Sequence, residues 1–252
     1  MTPRRLIAGL AAVVALTAVA ALTMGGGSAP HATPQAPRQP AAVAADPAPK
    51  PAAWTVPGTR PPGRAFLIGR VLRPIHSSIG LVRPRTPLGN QTWLLILSHH
   101  GHRGVALVPT SHQPKRATVD LRLLELRWTR VRLTVDLRAL RLSVQRGTST
   151  LGRFPIAAGG PSTPTPTGEF TVTDRVVFPE GGTYGPFALG LSARQTHLIP
   201  GWSGGDQIAI HGTTHPQTIG SYASLGCIRV GGTALKVLRR VVPLGAPVTI
   251  RA

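Results

Sequence analysis

The sequence predicts a mostly β protein with one late helix. Three observations carry that expectation. Residues 131–136 alternate apolar and polar side chains strictly, and residues 140–145 do so again, the pattern of strands with one buried face. Upstream, short apolar runs at 66–68, 93–97, 104–108 and 118–121 are separated by Gly, Pro, His and Ser, at the spacing of strands in a small all-β module. Helical spacing is confined to 233–242, where Leu235, Leu238 and Val242 share a face, Thr233 is placed to cap the start and Pro243 ends the run.

Taken in order, these elements divide into two units. The apolar runs of residues 65–130 suggest a compact, barrel-like β accessory module. His99, His100 and His102 cluster there, but His-His-Gly-His at a hairpin tip reads as exposed turn before it reads as a metal site. The second unit, 131–252, opens with the two alternating strands, after which Gly147 closes a turn. Residues 154–157 lead into a Gly- and Pro-rich loop over 159–168, which is stiff and feeds the alternating strand 169–173. Further strands are expected at 187–191 and 207–210.

The first 62 residues read differently. Arg4 and Arg5 precede an uncharged apolar stretch over 6–24, the mark of a segment addressed to a membrane, with the positive flank directing the rest of the chain outward. It is as long as the roughly 20 residues that span a bilayer, and no good Ala-x-Ala site follows, so a signal peptide and an uncleaved signal anchor are both open. No cysteine lies near its end, which excludes a lipoprotein. Residues 25–62 are Ala, Pro, Gly and Ser with few larger apolar side chains, the composition of a disordered or polyproline-like tether. The expected location is therefore the extracytoplasmic envelope, anchored or secreted.

Charge narrows the partners. The chain carries 28 Lys and Arg against 8 Asp and Glu, a net +20. Residues 57–130 are the most one-sided, with 12 basic and 2 acidic residues. In an exported protein such a field favours anionic wall polymers or lipid head groups, although an Arg-rich composition alone gives the same balance. No RNA-binding motif and no interleaved aromatics point to nucleic acid.

The chain has a single cysteine, Cys227. In an oxidising compartment structural cysteines come in pairs, so Cys227 is either a small buried hydrophobe or a reactive thiol. Its surroundings favour chemistry. The expected strand 207–210 ends at His211, followed by Gly212 and Thr213, and Ser224-Leu225-Gly226-Cys227-Ile228-Arg229-Val230 lies a short loop away. A nucleophilic thiol needs a base or a positive neighbour to ionise, and His211 at a strand end is a rigid base facing that loop. Gly226 lets a carbonyl approach the backbone, so the amides of Gly226 and Cys227 are expected to stabilise an oxyanion. Arg229 adds positive potential or binds a substrate carboxylate.

These residues carry a resemblance. Val135-Asp136-Leu137 with Leu140 to Val144, Thr165-Pro166-Thr167-Gly168-Glu169-Phe170, the string IHGTTHPQTIGSYASLGCIRV and Gly245 to Ile250 together resemble, in order, the L,D-transpeptidase catalytic domain family over about 130–251. The resemblance implies a β-sandwich-like domain with a short helix and no metal or cofactor. It further implies that Cys227 attacks the stem tetrapeptide of peptidoglycan between the L-centre of its diamino acid and the terminal D-Ala. D-Ala leaves, a thioester remains, and the side-chain amine of a neighbouring stem resolves it into a cross-link. In this reading His211 is base and then acid, the Gly212 carbonyl orients the imidazole, and carbapenems acylate the thiol.

The chain departs from the family at Leu225, where a His is usual before Gly-Cys. If that position only packs, Leu225 fills it; if it binds substrate or tunes the thiol, turnover or specificity changes. Ser224 has a better claim than Ser221 to hydrogen-bond near the sulfur, and His215, followed by Pro216, reads as an exposed loop residue. Tyr184 and Trp202 are placed either at the cleft mouth or in ordinary packing. Two other functions stand beside cross-linking: a catalytically weakened wall-binding module, and carboxypeptidase trimming in which water replaces the amine. Tripeptide as the sole product marks trimming, and dimer marks cross-linking. A redox role is weaker, since no second cysteine is present to resolve an oxidised one.

Overall fold

The computed structural model describes Gly58 and residues 60–178, 182–200 and 205–252. The apolar segment 1–24, most of the 25–62 tether and Trp202 lie outside the described residues. The described residues belong to one compact unit, and among them no helix is long and apolar enough to cross a membrane.

The N-terminal part is built from β1 (Phe66–Val71), β2 (Ile75–Ser77), β3 (Gly80–Val82), β4 (Trp93–His100), β5 (Arg103–Val108), β6 (Lys115–Asp120) and β7 (Leu124–Thr129). An antiparallel sheet runs in the order β6-β5-β4-β1-β7, and β2 and β3 form a separate ribbon. The ribbon joins β6 through Ser78 N–H donating to the Thr118 carbonyl at 3.1 Å. The barrel suggested by the strand spacing is thus an open sheet, because spacing counts strands but carries no information on closure. Alternation gives the sheet two apolar faces. Leu67, Val71, Leu94 and Ile96 face one core, while Ile68, Leu95 and Leu107 face another. His99 and His100 end β4 at an exposed hairpin whose turn uses Gly101 at φ +53°.

The C-terminal part contains β8 (Val131–Asp136), β9 (Arg141–Arg146), β10 (Ser149–Ala157), β11 (Gly168–Val177), β12 (Phe187–Arg194), β13 (Gln207–His211), β14 (Ile228–Val230), β15 (Pro247–Arg251) and the helix α1 (Gly232–Val241). The strands of the expected sandwich-like domain close edge to edge as a barrel, in the order β10-β14-β13-β12-β11-β15-β8-β9. Two of its pairings, β13 with β14 and β15 with β8, are parallel. The mainly β class with one late α-helix holds.

Two local expectations need correction. The helix starts at Gly232 with Gly231 as its N-cap, so Thr233 sits inside the first turn and caps nothing. Ala234, Leu235 and Leu238 are its buried face, and its open C-terminal carbonyls are bound by the Arg175 guanidinium, at Arg239 O (2.6 Å) and at Val242 O. Second, the alternation at 169–173 implies one buried face, yet Thr171, Val172, Thr173 and Asp174 are all buried. The outer face of β11 is covered by the N-terminal part: β11 touches β4, and Thr86 Oγ1 donates to Asp174 Oδ1 at 2.5 Å. Gly245 also lies against Trp93 and Ile68, where a Cβ would come within 3.0 Å of the Trp93 Cβ.

Candidate active site

The parallel pairing of β13 and β14 positions the chemistry. Its register sets Ile210 beside Ile228 and His211 beside Arg229. Ile208, Ile210, Ile228 and Val230 all point into the barrel core and are fully buried, each large aliphatic contributing about 1.5–3 kcal/mol. Because side chains alternate, Ala209, His211, Cys227 and Arg229 share the opposite face. His211 and Arg229 are cross-strand neighbours, and Cys227 lies one step back along that face. His211, Cys227, Arg229, Tyr184 and Ser224 line a single cleft of about 300 Å3.

The His211 ring is 3% exposed, and its Nδ1 lies 2.5 Å from the Gly212 carbonyl. A carbonyl only accepts, so Nδ1 carries the proton and Nε2 keeps its lone pair, the form a general base requires. Burial pushes the imidazole pKa down to about 4; the Gly212 carbonyl opposes this and the Arg229 guanidinium adds to it. Gly212 has no room for a side chain, since a Cβ there would come within 3.0 Å of Leu235 and 3.3 Å of the Tyr184 carbonyl. That close approach brings the Tyr184 ring edge-on to His211, with centroids 4.9 Å apart at 82°. Burial, and then the charge of Cys227, raise the Tyr184 pKa.

Cys227 Sγ lies 4.0 Å from the Gln207 carbonyl. Burial raises the thiol pKa, against the Ala209 backbone amide and Arg229, both of which favour the thiolate. This differs from the expectation that Arg229 and the base hold the sulfur ionised. Desolvation favours the neutral form of both the part-buried thiol and the buried imidazole, because it penalises charge on each.

The loop before Cys227 is fixed by side chains. Ser224 Oγ donates to the Cys227 carbonyl at 2.5 Å and accepts from the Gly226 N–H at 3.1 Å. The Gly226 amide is therefore engaged by Ser224, which corrects the expectation that it faces an oxyanion. Gly226 is needed for another reason: φ is +114°, and a Cβ would collide with Gln195 Nε2. Gln195 donates to the carbonyls of Leu225 (3.0 Å), Thr163 and Pro164. Thr165 Oγ1 donates to the Gly226 carbonyl and accepts from the Gly159 N–H, both at 2.8 Å. The stiff 159–168 loop thus serves as a buttress for the thiol loop.

Sequence reasoning missed Thr163, Thr165, Gln195, Gln207 and Ala209 as parts of the site. The Thr-Pro-Thr-Pro-Thr-Gly string was a signal for two of them, while the two glutamines carry none. Leu225 is 41% exposed and lines the cleft, so its side chain faces substrate space instead of packing beneath the sulfur. Ser221 bonds the Thr218 carbonyl and His215 is exposed beside the 3-10 turn Pro216–Thr218, so neither joins the site.

The profile of the YkuD family, the L,D-transpeptidase catalytic domain, matches residues 130–250. YkuD of Bacillus subtilis (strain 168), a protein carrying an L,D-transpeptidase name, is 35% identical over 118 residues, 47% of this chain and 64% of that one. YqjB of the same organism, named in the same way, is 30% identical over 127 residues, 46% of this chain and 68% of its own length. An L,D-transpeptidase crystal structure from Mycobacterium tuberculosis H37Rv is 19% identical with a TM-score of 0.42, covering 55% of this chain and 70% of that one. The chain belongs to the L,D-transpeptidase catalytic domain family, and it spans just under two thirds of the length of YkuD.

Proposed function

We propose that the protein is an L,D-transpeptidase that cross-links peptidoglycan stem peptides through a thioester on Cys227. The observation that carries this reading is the shared face of β13 and β14, with a neutral imidazole whose Nδ1 proton is bound to a carbonyl and whose Nε2 is a free base. Sγ attacks the carbonyl carbon of the bond between the L-centre of the diamino acid and D-Ala, and its proton passes to Nε2. In this reading the Cys227 amide and Arg229 offset negative charge on the carbonyl oxygen. The imidazolium, held by the Gly212 carbonyl, returns the proton to the departing D-Ala nitrogen, leaving the thioester. A neutral side-chain amine of a second stem then attacks the thioester carbonyl and loses a proton to Nε2. The sulfur leaves and recovers that proton.

Supporting this reading are family membership, the apolar 1–24 segment expected to export the chain, and the basic 57–130 segment suited to anionic wall polymers or lipid head groups. The test incubates the full chain with a disaccharide tetrapeptide. Dimer and D-Ala in equal amounts are expected from wild type, and neither from Cys227→Ala. Tripeptide without dimer would instead assign trimming, and no thiol-dependent product would leave a wall-binding module.

A further inference from the structure

The active-site cleft is not made by the barrel alone. Leu88, from the turn between β3 and β4, lines the same cleft as Cys227. That turn is stiff. Gly89 N–H donates to the Thr86 carbonyl at 2.9 Å, Pro87 presets the turn's second position, and Arg85 bridges to Gln91. It is also clasped to the barrel at two points on β11: Thr86 Oγ1 on Asp174 Oδ1, and Asn90 Oδ1 accepting from the Arg175 N–H at 3.3 Å. Asp174 is 1% exposed, and its other oxygen accepts from Gln207 Nε2 at 2.9 Å. Gly190 makes room for that pair, since a Cβ there would lie 2.9 Å from Gln207 Nε2 and 3.0 Å from Asp174 Cβ. The Gln207 carbonyl in turn lies 4.0 Å from the Cys227 sulfur.

Between clasp and sulfur the cleft is apolar at its rim. Leu88, Leu198, Ile199 and Leu225 line it while remaining 57%, 52%, 39% and 41% exposed. Four large aliphatic side chains left to water around one cleft mark a binding surface, and a structural role would have buried them. We propose that the Thr86–Asn90 turn of the N-terminal part is a specificity element of the active site. It presents Leu88 to an aliphatic segment of the peptide substrate, and the Thr86–Asp174 clasp sets its position. The identity of that peptide as a peptidoglycan stem rests on the function proposed above. The accessory part then contributes to substrate selection directly, in addition to any contact with wall polymer.

Binding of the disaccharide tetrapeptide to full-length Cys227→Ala, followed by calorimetry, tests this without turnover. Adding Leu88→Ser is expected to weaken Kd about tenfold, the worth of half-burying a leucine side chain. Thr86→Val, which keeps Leu88 but removes the clasp, is expected to weaken it too. In chains retaining Cys227, iodoacetamide should alkylate the thiol of Leu88→Ser at a rate within about twofold of wild type, as the lost contact is with substrate. Unchanged Kd in Leu88→Ser, or no binding by Cys227→Ala, overturns the proposal. Leu88-dependent binding without D-Ala release by wild type would instead sink the transpeptidase reading and leave this subsite standing.

Discussion

Burial of His211 as a neutral imidazole makes stability fall in mild acid. Its folded pKa is about 4, against 6.5 for the free side chain. The unfolded chain therefore binds a proton first as pH drops, so stability present above about 6.5 is lost progressively until pH passes about 4. Between pH 7 and pH 5 the linkage relation gives a loss of about 2 kcal/mol, or roughly 4–8 °C in Tm for a unit of this size. Carboxylates held low, Asp120 by the Arg122 guanidinium and Asp136 by the Ala139 backbone N–H and then Arg251, also contribute in acid, so the comparison must be with His211→Gln, which keeps a polar side chain but does not titrate. Thermal denaturation of both proteins at the two pH values isolates the histidine. Wild type should lose about 2 kcal/mol more than the variant. Equal losses would refute a buried neutral imidazole and with it the assignment of Nε2 as a resting base.

Three further outcomes follow from the same site. The Cys227 thiol is pushed above its ordinary value of 9.0, so its alkylation by iodoacetamide should climb only in alkaline solution; a rate plateau between pH 5 and 7 would mean a preformed thiolate–imidazolium pair. Thr165→Val strands the buried Gly159 N–H and Gly226 carbonyl and should cost about 2–4 kcal/mol in chemical denaturation, with Thr165→Ser recovering most of it. Gly226→Ala forces a side chain into a left-handed backbone and onto Gln195, and should lower Tm by roughly 5–10 °C, from about 2–3 kcal/mol of strain.

The strands of the barrel were legible because alternation writes one buried face into the sequence, as at Val131–Asp136 and Arg141–Arg146. Cys227 and His211 stood out as candidates because a lone thiol close in sequence to a strand-ending histidine is an uncommon combination. What was hidden depends on contacts between distant segments. The three-residue strand β14 is too short to show a period, yet its pairing with β13 sets the geometry of the site. Asp174 reads as an ordinary polar residue at a strand end until Thr86 and Gln207 are found on its two oxygens, 88 and 33 residues away in sequence. Desolvation was equally invisible: the sequence placed Arg229 beside the thiol as an activating charge, but how deeply the sulfur lies emerged only from packing, and burial outweighs that charge.

The proposed function requires Cys227 to be an acyl-accepting nucleophile served by His211. Intact-protein mass spectrometry after exposure to a carbapenem addresses this most directly. One covalent adduct on wild type, none on Cys227→Ala and a strongly slowed adduct on His211→Gln are the expected results. Wild type that stays unmodified, or an adduct that survives Cys227→Ala, would contradict it.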